Sequence, residues 1–242
     1  MALHFLTPEA APAVAGDTVA LEGAEAKHAA VVRRVRVGEE VTLGDGEGVW
    51  LEGEVASVAP ALVEVRVTSR TALPAPSPRI TLVQALAKGD RDELAVQAAC
   101  ELGVDEIVPW QSARSISRWE GAKAEKGRER WKTIAREASK QAHRAWLPRV
   151  SAPVTTSQLA ARAESARVLV LDPAASLRLS SLTPDERDLV LVVGPEGGIA
   201  PEEFALFHDA GAERVLLGDS VLRTSTAGPA AIAVLSVALG RW

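Results

Sequence analysis

Through the first 70 positions apolar and polar residues alternate; beyond them the apolar residues gather into solid runs. "EEVTLGDGEGVWLEGEVASV" (39–58) alternates on both sides of Gly-Asp-Gly-Glu-Gly, which predicts a β-hairpin. "ALVEVRVTSR" (61–70) alternates again. Between Gly23 and Gly38 a short helix is expected, with His28, Val32 and Val35 on one face and Arg33 and Arg36 elsewhere on the turn. The stretch Thr71–Pro78, with Pro74, Pro76 and Pro78, reads as a stiff linker, because proline fixes φ and removes a donor.

After the linker the pattern predicts strand and helix in alternation. "RITLVQALA", "VDEIVPW", "ARVLVLD", "DLVLVVG" and "AERVLLG" are continuous apolar strands. "DRDELAVQAACELG" is a helix capped by Asp90 or Asp92 and stopped at Gly103. A long helix is expected over roughly Ala124–Ala145, and another begins at Pro201 and ends by Gly211. The last helix, Thr226–Leu239, is apolar all round and so is expected to be buried, within the domain or in a dimer. Apolar strands alternating with helices give a parallel sheet covered on both faces. The expected division is a β-rich domain over 1–72 and an α/β domain over 73–242.

The chain has 242 residues and a single cysteine, Cys100, so it has no internal disulfide and a cytoplasmic location is expected. No run of about 18 apolar residues occurs and no signal peptide is read, so no membrane partner is expected. The net charge of −5 is unevenly spread: residues 110–150 alone carry a net +7. A local basic segment is what a polyanion needs, although a charge cluster by itself is more often a solvated helix face.

Ligands of open α/β sheets bind at the carboxyl ends of strands. Three such ends look built for one: "LVLDPAAS" at Leu171–Asp172, "VVGPEGG" at Gly194–Gly198, and "LLGDSVLRTSTAG" at Leu217–Gly228. The glycines are not spaced as in a dinucleotide fold, and no phosphate-binding GxxxxGK[ST] loop, CxxC or HExxH occurs, so no metal is expected. Glu137, Gln141 and Arg144 fall at i, i+4 and i+7, one stripe of the long helix beside an apolar stripe of Ile134, Ala138 and Ala142.

Four segments in order, "KGDRDELAVQAACELGVDEIVP", "EASKQAHRAWLP", "VVGPEGGIAPEE" and "LGDSVLRTSTA", resemble the ribosomal RNA small-subunit methyltransferase E family of the SPOUT superfamily. "KHAAVVRRVRVGEEVTLGDGEG" resembles that family's PUA-like β-barrel. The resemblance covers nearly the whole chain. It implies a small PUA-like RNA-binding barrel followed by an α/β parallel-sheet domain with a C-terminal trefoil knot. The implied activity is methylation of uridine N3 in 16S rRNA of the small ribosomal subunit, with S-adenosyl-L-methionine as cofactor and a homodimer as the working form.

The resemblance places the cofactor against Leu171, Gly194, Pro195, Glu196, Gly197, Gly198, Leu217, Gly218, Val221, Leu222 and Arg223, with glycines letting backbone approach. It places "EAxxQxxR" (Glu137, Gln141, Arg144) near the substrate, with Arg223 as the cation nearest the methyl. For Glu196 a simple pairing with Arg223 is the plainer alternative. For RNA the candidates are Arg33, Arg34 and Arg36 in the small domain. In the large one they are Arg114, Arg118, Lys132, Arg136 and Lys140, among the further basic residues Lys123, Lys126, Arg128 and Arg130. In one place the chain departs from the family's Leu-Arg-Thr-Glu-Thr: Ser225 stands where the Glu would be, so no carboxylate general base is expected there. The rival readings are a ribose 2′-O RNA methyltransferase of the same superfamily and a non-catalytic RNA-binding assembly factor.

Overall fold

The computed structural model describes residues 2–242. The chain divides into two compact units. One comprises the chain as far as Ala75 together with Ser139–Leu147; the other comprises Pro76–Ala138 and Pro148–Trp242.

The first unit is a five-stranded mixed sheet of β1 (Leu3–Leu6), β2 (Thr18–Glu22), β3 (Glu40–Gly44), β4 (Val49–Ala59) and β5 (Leu62–Ala72), in the order β1-β3-β4-β5-β2. The hairpin expected at Gly-Asp-Gly-Glu-Gly joins β3 to β4, and the Asp45 carboxylate holds its turn by accepting the N–H groups of Glu47 and Val49. The inward residues of alternate positions meet in one cluster. Phe5 of one edge strand and Val19 and Leu21 of the other share it with Leu51 and Val65 of the centre, so the sheet curls round its own core. Gly53 sits at a bulge of β4, where a Cβ would lie 2.6 Å from Val65.

The helix after β2 differs from expectation. α1 (Gly23–Lys27) runs into a π-helical turn, His28–Arg33, that ends with Arg34 in the left-handed region (φ 55°). The wider turn shifts the phase of the face. Val35 is buried, while Val32 is 63% exposed and does not share its side.

The second unit holds a seven-stranded, all-parallel sheet. Its strands are β6 (Ile80–Ala85), β7 (Glu106–Trp110), β8 (Arg149–Val150), β9 (Arg167–Leu171), β10 (Leu177–Arg178), β11 (Leu189–Val193) and β12 (Glu213–Leu216), in the order β10-β12-β9-β11-β6-β7-β8. Strand residues alternate between two cores. Leu82, Leu169, Leu191 and Val193 pack on one face with α2 (Arg91–Glu101), α3 (Ala122–Gln141) and α6 (Thr224–Ala238). Val83, Val108, Val170 and Val192 pack on the other with α4 (Thr156–Ala160) and α5 (Pro201–Asp209). Both faces are covered, which is why the strands read as unbroken apolar runs. Cys100 and Trp131 are core residues, and Trp119 packs edge-on against Trp131.

Two helix expectations change. α3 ends at Gln141, not Ala145, because His143 takes φ 53° and the Arg144 N–H turns back to the Ser139 carbonyl. Arg144 therefore leaves the helical stripe that Glu137 and Gln141 begin. α6 is not buried all round in the single chain: Ile232 and Leu235 are buried, but Val237 is 63% exposed and Ala230 and Ala233 are partly open. Among the described residues no helix is long and apolar enough to cross a membrane.

Candidate functional site

The carboxyl ends of β9, β11 and β12 open into one cavity of about 570 Å³. Leu171, Gly194, Pro195, Glu196, Gly198, Leu217, Gly218, Val221, Leu222 and Arg223 all line it, so the three loops singled out in the sequence converge. Gly197 does not line it. Its carbonyl instead accepts a hydrogen bond from Arg114 Nη1 (3.1 Å), which ties the glycine loop to the loop after β7.

The glycines serve different ends. Gly194 is required by packing, since a Cβ there would lie 2.7 Å from Ile199. Gly198 is required by its backbone, at φ 72°. Gly218 is required by neither: its φ is ordinary and a Cβ would meet no atom within 4 Å. Gly218 lines the cavity, and the space its missing side chain leaves is filled by no protein atom.

Part of the remaining wall is apolar. Phe204 of α5 and Val193, Ile199 and Val215 line the cavity beside Asp172, whose carboxylate is paired with Arg214; that guanidinium lies 4.7 Å above the Phe204 ring. Two buried polar groups fix the loops. Thr224 Oγ1 accepts from Gln84 Nε2 (2.8 Å) and donates to the Gly194 carbonyl (3.0 Å), locking the start of α6 to the ends of β6 and β11. The buried Glu203 carboxylate accepts the N–H groups of Ala113 (2.8 Å) and Ala200 (3.1 Å) and the Thr156 hydroxyl (2.8 Å).

Glu196 does not pair with Arg223. Its Oε1 accepts from Arg91 Nη1 (2.7 Å) and from the Lys88 N–H (3.1 Å). Partial burial opposes the charge, but its own N–H, Arg91 and Lys88 outweigh that and hold the carboxyl below the usual range. Arg223 lines the cavity just before α6, and among the described residues its guanidinium has no acidic partner.

Glu137 is exposed on α3, Gln141 is the exposed last residue of that helix, and Arg144 follows the left-handed His143; none of the three lines the cavity. Of the RNA candidates, Arg33, Arg34 and Arg36 are exposed, as are Arg114 and Arg118, the latter donating to the Ala113 carbonyl. Lys132 is paired with Glu129 (2.6 Å), and Arg136 is half-buried. Lys140 is a correction: it is 7% exposed and paired with Glu25 at 2.9 Å, so it is no surface contact.

A family model described as an RNA methyltransferase domain matches residues 74–236, and one described as an RNA methyltransferase PUA domain matches 21–68. A ribosomal RNA small subunit methyltransferase E of Mycobacterium bovis is 42% identical over 94% of this chain and 89% of its own length. The chain belongs to the ribosomal RNA small-subunit methyltransferase E family. The Bacillus subtilis relative of the same name is 30% identical over 90% of each chain. The crystal structure of the Neisseria gonorrhoeae family member, bound to S-adenosyl methionine, superimposes with a TM-score of 0.88 at 30% identity over 98% of both chains.

The family's sequence signals account for the three loops. Arg91 and Phe204 were not expected at the cavity; Asp172 and Thr224 lie in the loops that the sequence singled out, though neither was named as a cofactor contact. Arg91 lies inside "KGDR", at the start of α2 just after β6, the strand beside β11, and that position was the available signal.

Proposed function

We propose that this protein methylates N3 of a uridine in 16S rRNA of the small ribosomal subunit, with S-adenosyl-L-methionine as donor. The observation that carries the reading is Gly218: a backbone position at the mouth of three loops that is bare for no reason internal to the chain. That space, the apolar part of the wall and a cavity of about 570 Å³ fit a bent nucleoside cofactor.

When bound, the cofactor supplies an electrophilic methyl on a sulfonium. The residues of the chain do the rest. The main chain at Gly194, Leu217 and Gly218 would hold the adenosine portion, and Phe204, Ile199 and Val215 would exclude water. Methylation at N3 would require the N3 proton to leave to water, which would place negative charge on O2 and O4 of the base. Arg223, which among the described residues lacks an acidic partner, lines the cavity and would stabilise the oxygens that gain charge as that proton leaves. N3 lies on the pairing edge, so the base enters unpaired or flipped.

The working form in this reading is a cytoplasmic homodimer with a trefoil knot at its carboxyl end. The open apolar side of α6 supports the dimer. A second copy would bring its own Glu137, Gln141 and Arg144 to a cavity that lacks them.

The test is methyl transfer from S-adenosyl-L-methionine to small subunits that lack the modification, with the product nucleoside identified by mass spectrometry. 3-Methyluridine is the expected product. A ribose-methylated nucleoside would replace the substrate assignment, and no transfer with retained RNA binding would make the protein a binding factor. Gly218→Val should lower cofactor affinity about 50-fold by overfilling the site, with an unchanged melting temperature; unchanged affinity removes the loop assignment.

A further inference from the structure

The Arg91–Glu196 pair joins two elements that meet at the cavity: the first residue of α2 and the glycine loop after β11. Arg91 lines the cavity, and its side chain is 44% exposed. One of its N–H groups is committed to Glu196; among the described residues its Nη2 and Nε donate to no protein group. Glu196, 24% exposed, is gripped from a second direction by the Lys88 N–H, so the guanidinium is held in place rather than tethered loosely. Asp92 fixes the same loop from below, its buried carboxylate accepting the N–H groups of Ala87 (3.2 Å) and Glu93 (2.9 Å).

A guanidinium paired in this way carries no net charge with its partner. That makes it a poor anchor for a carboxylate and a tolerable neighbour for a sulfonium. It is still a rigid fork of N–H donors. Such a fork suits a neutral carbonyl that becomes negative only as the reaction proceeds, because the donors are oriented beforehand and need no rearrangement.

We infer that Arg91 is a further catalytic residue, donating to a uracil carbonyl oxygen beside N3, and that Glu196 is its positioning residue and not a cofactor ligand. The inference rests on the proposed uridine methylation. As N3 loses its proton to water, charge spreads onto O2 and O4; the Arg91 donors stabilise that charge while the N3 lone pair forms the bond to the methyl carbon and sulfur keeps the departing pair.

The experiment uses the full-length protein, hypomethylated small subunits and S-adenosyl-L-methionine. It compares wild type with Arg91→Ala, Arg91→Lys and Glu196→Gln. Cofactor affinity is read by calorimetry, single-turnover methyl transfer at saturation is followed from pH 6 to 9, and melting temperatures verify folding. Arg91→Ala should lower the saturated rate about 100-fold, with cofactor affinity and RNA KM each within about threefold. Arg91→Lys should recover part of the rate, and Glu196→Gln should lose about tenfold by leaving the fork unheld. The Arg91→Ala deficit should also shrink as pH rises, since solvent base then removes the N3 proton without help; a merely structural role would not bend the pH profile. Loss of cofactor affinity with the saturated rate intact would make Arg91 a cofactor ligand, a rise in RNA KM alone would make it a phosphate contact, and unchanged kinetics would make the pair structural. Each overturns the inference. A wild-type protein that makes no 3-methyluridine overturns the proposed function itself, so the two failures are distinguishable.

Discussion

The molecule has two basic regions, and they are built differently. On α3 and its flanks the positive charge is largely spent internally: Arg130 holds Glu93 (2.9 Å), Lys132 holds Glu129 (2.6 Å), Arg128 Nε donates to the Val150 carbonyl and Lys140 is buried against Glu25. On the turn after α1, Arg33, Arg34 and Arg36 stand exposed, and among the described residues their guanidinium groups have no acidic partner. The segment with the larger net charge is thus not the one with more charge to offer. A polyanion gains from a cation only what that cation is not already giving to a carboxylate.

The widest gap between the two regions is at Lys140. Lys140→Met should destabilise the first unit by about 3 kcal/mol, because it takes the ammonium from a carboxylate that is only 15% exposed. RNA salt dependence should be unaltered; urea unfolding and a salt titration measure both. The same buried pocket gives a pH signature. His4 stacks on Trp50 and hydrogen-bonds Thr42, and burial, with His143 and Lys140 nearby, lowers its pKa from 6.5 to about 4. A lowered pKa means the fold favours neutral His4. Its contribution is complete above pH 6.5 and drains away as pH falls to about 4, a loss on the order of 3 kcal/mol. His4→Gln should flatten stability over that window; an unchanged slope would place the acid sensitivity elsewhere.

On the exposed side, replacing Arg33, Arg34 and Arg36 with alanine should weaken RNA binding about 100-fold at physiological salt and reduce the logarithmic salt slope by about 2 to 3. Cofactor affinity should not change. The smallest effect belongs to Arg130→Ala with Lys132→Ala, at most about threefold in RNA affinity. A larger loss there than at the arginine turn would break the comparison.

Charge counting along the chain treats every lysine as solvated, so it could not see that Lys140 meets a glutamate 115 positions earlier. The same limit hid Arg91, whose partner Glu196 lies 105 positions away. The strand ends were readable because each ends an apolar run in small residues: β9 ends at Leu171, and β11 and β12 stop just before Gly194 and Leu217. The boundary of the small unit was only half readable. The prolines mark its edge near Ala75, but nothing local announces that Ser139–Leu147 returns to it. Helical periodicity failed at Val32 because it assumes 3.6 residues per turn and the chain inserts a π turn. It failed at Arg144 because His143 adopts a conformation that only a tertiary setting would select.

That returning segment has a consequence for how the protein is made. Gly46 and Gly48 are seats for Leu147 and Trp146: a Cβ at either would fall 2.7 Å or less from those side chains, and Trp146 Nε1 donates to the Leu73 carbonyl. During synthesis the first 75 residues leave the ribosome with both seats vacant, and the two side chains that fill them are added about 70 codons later. The amino-terminal unit is therefore the first to emerge and cannot be the first to finish. A nascent chain arrested before Trp146 has cleared the exit tunnel should be cut by protease in the β3–β4 hairpin, and one arrested well beyond it should not.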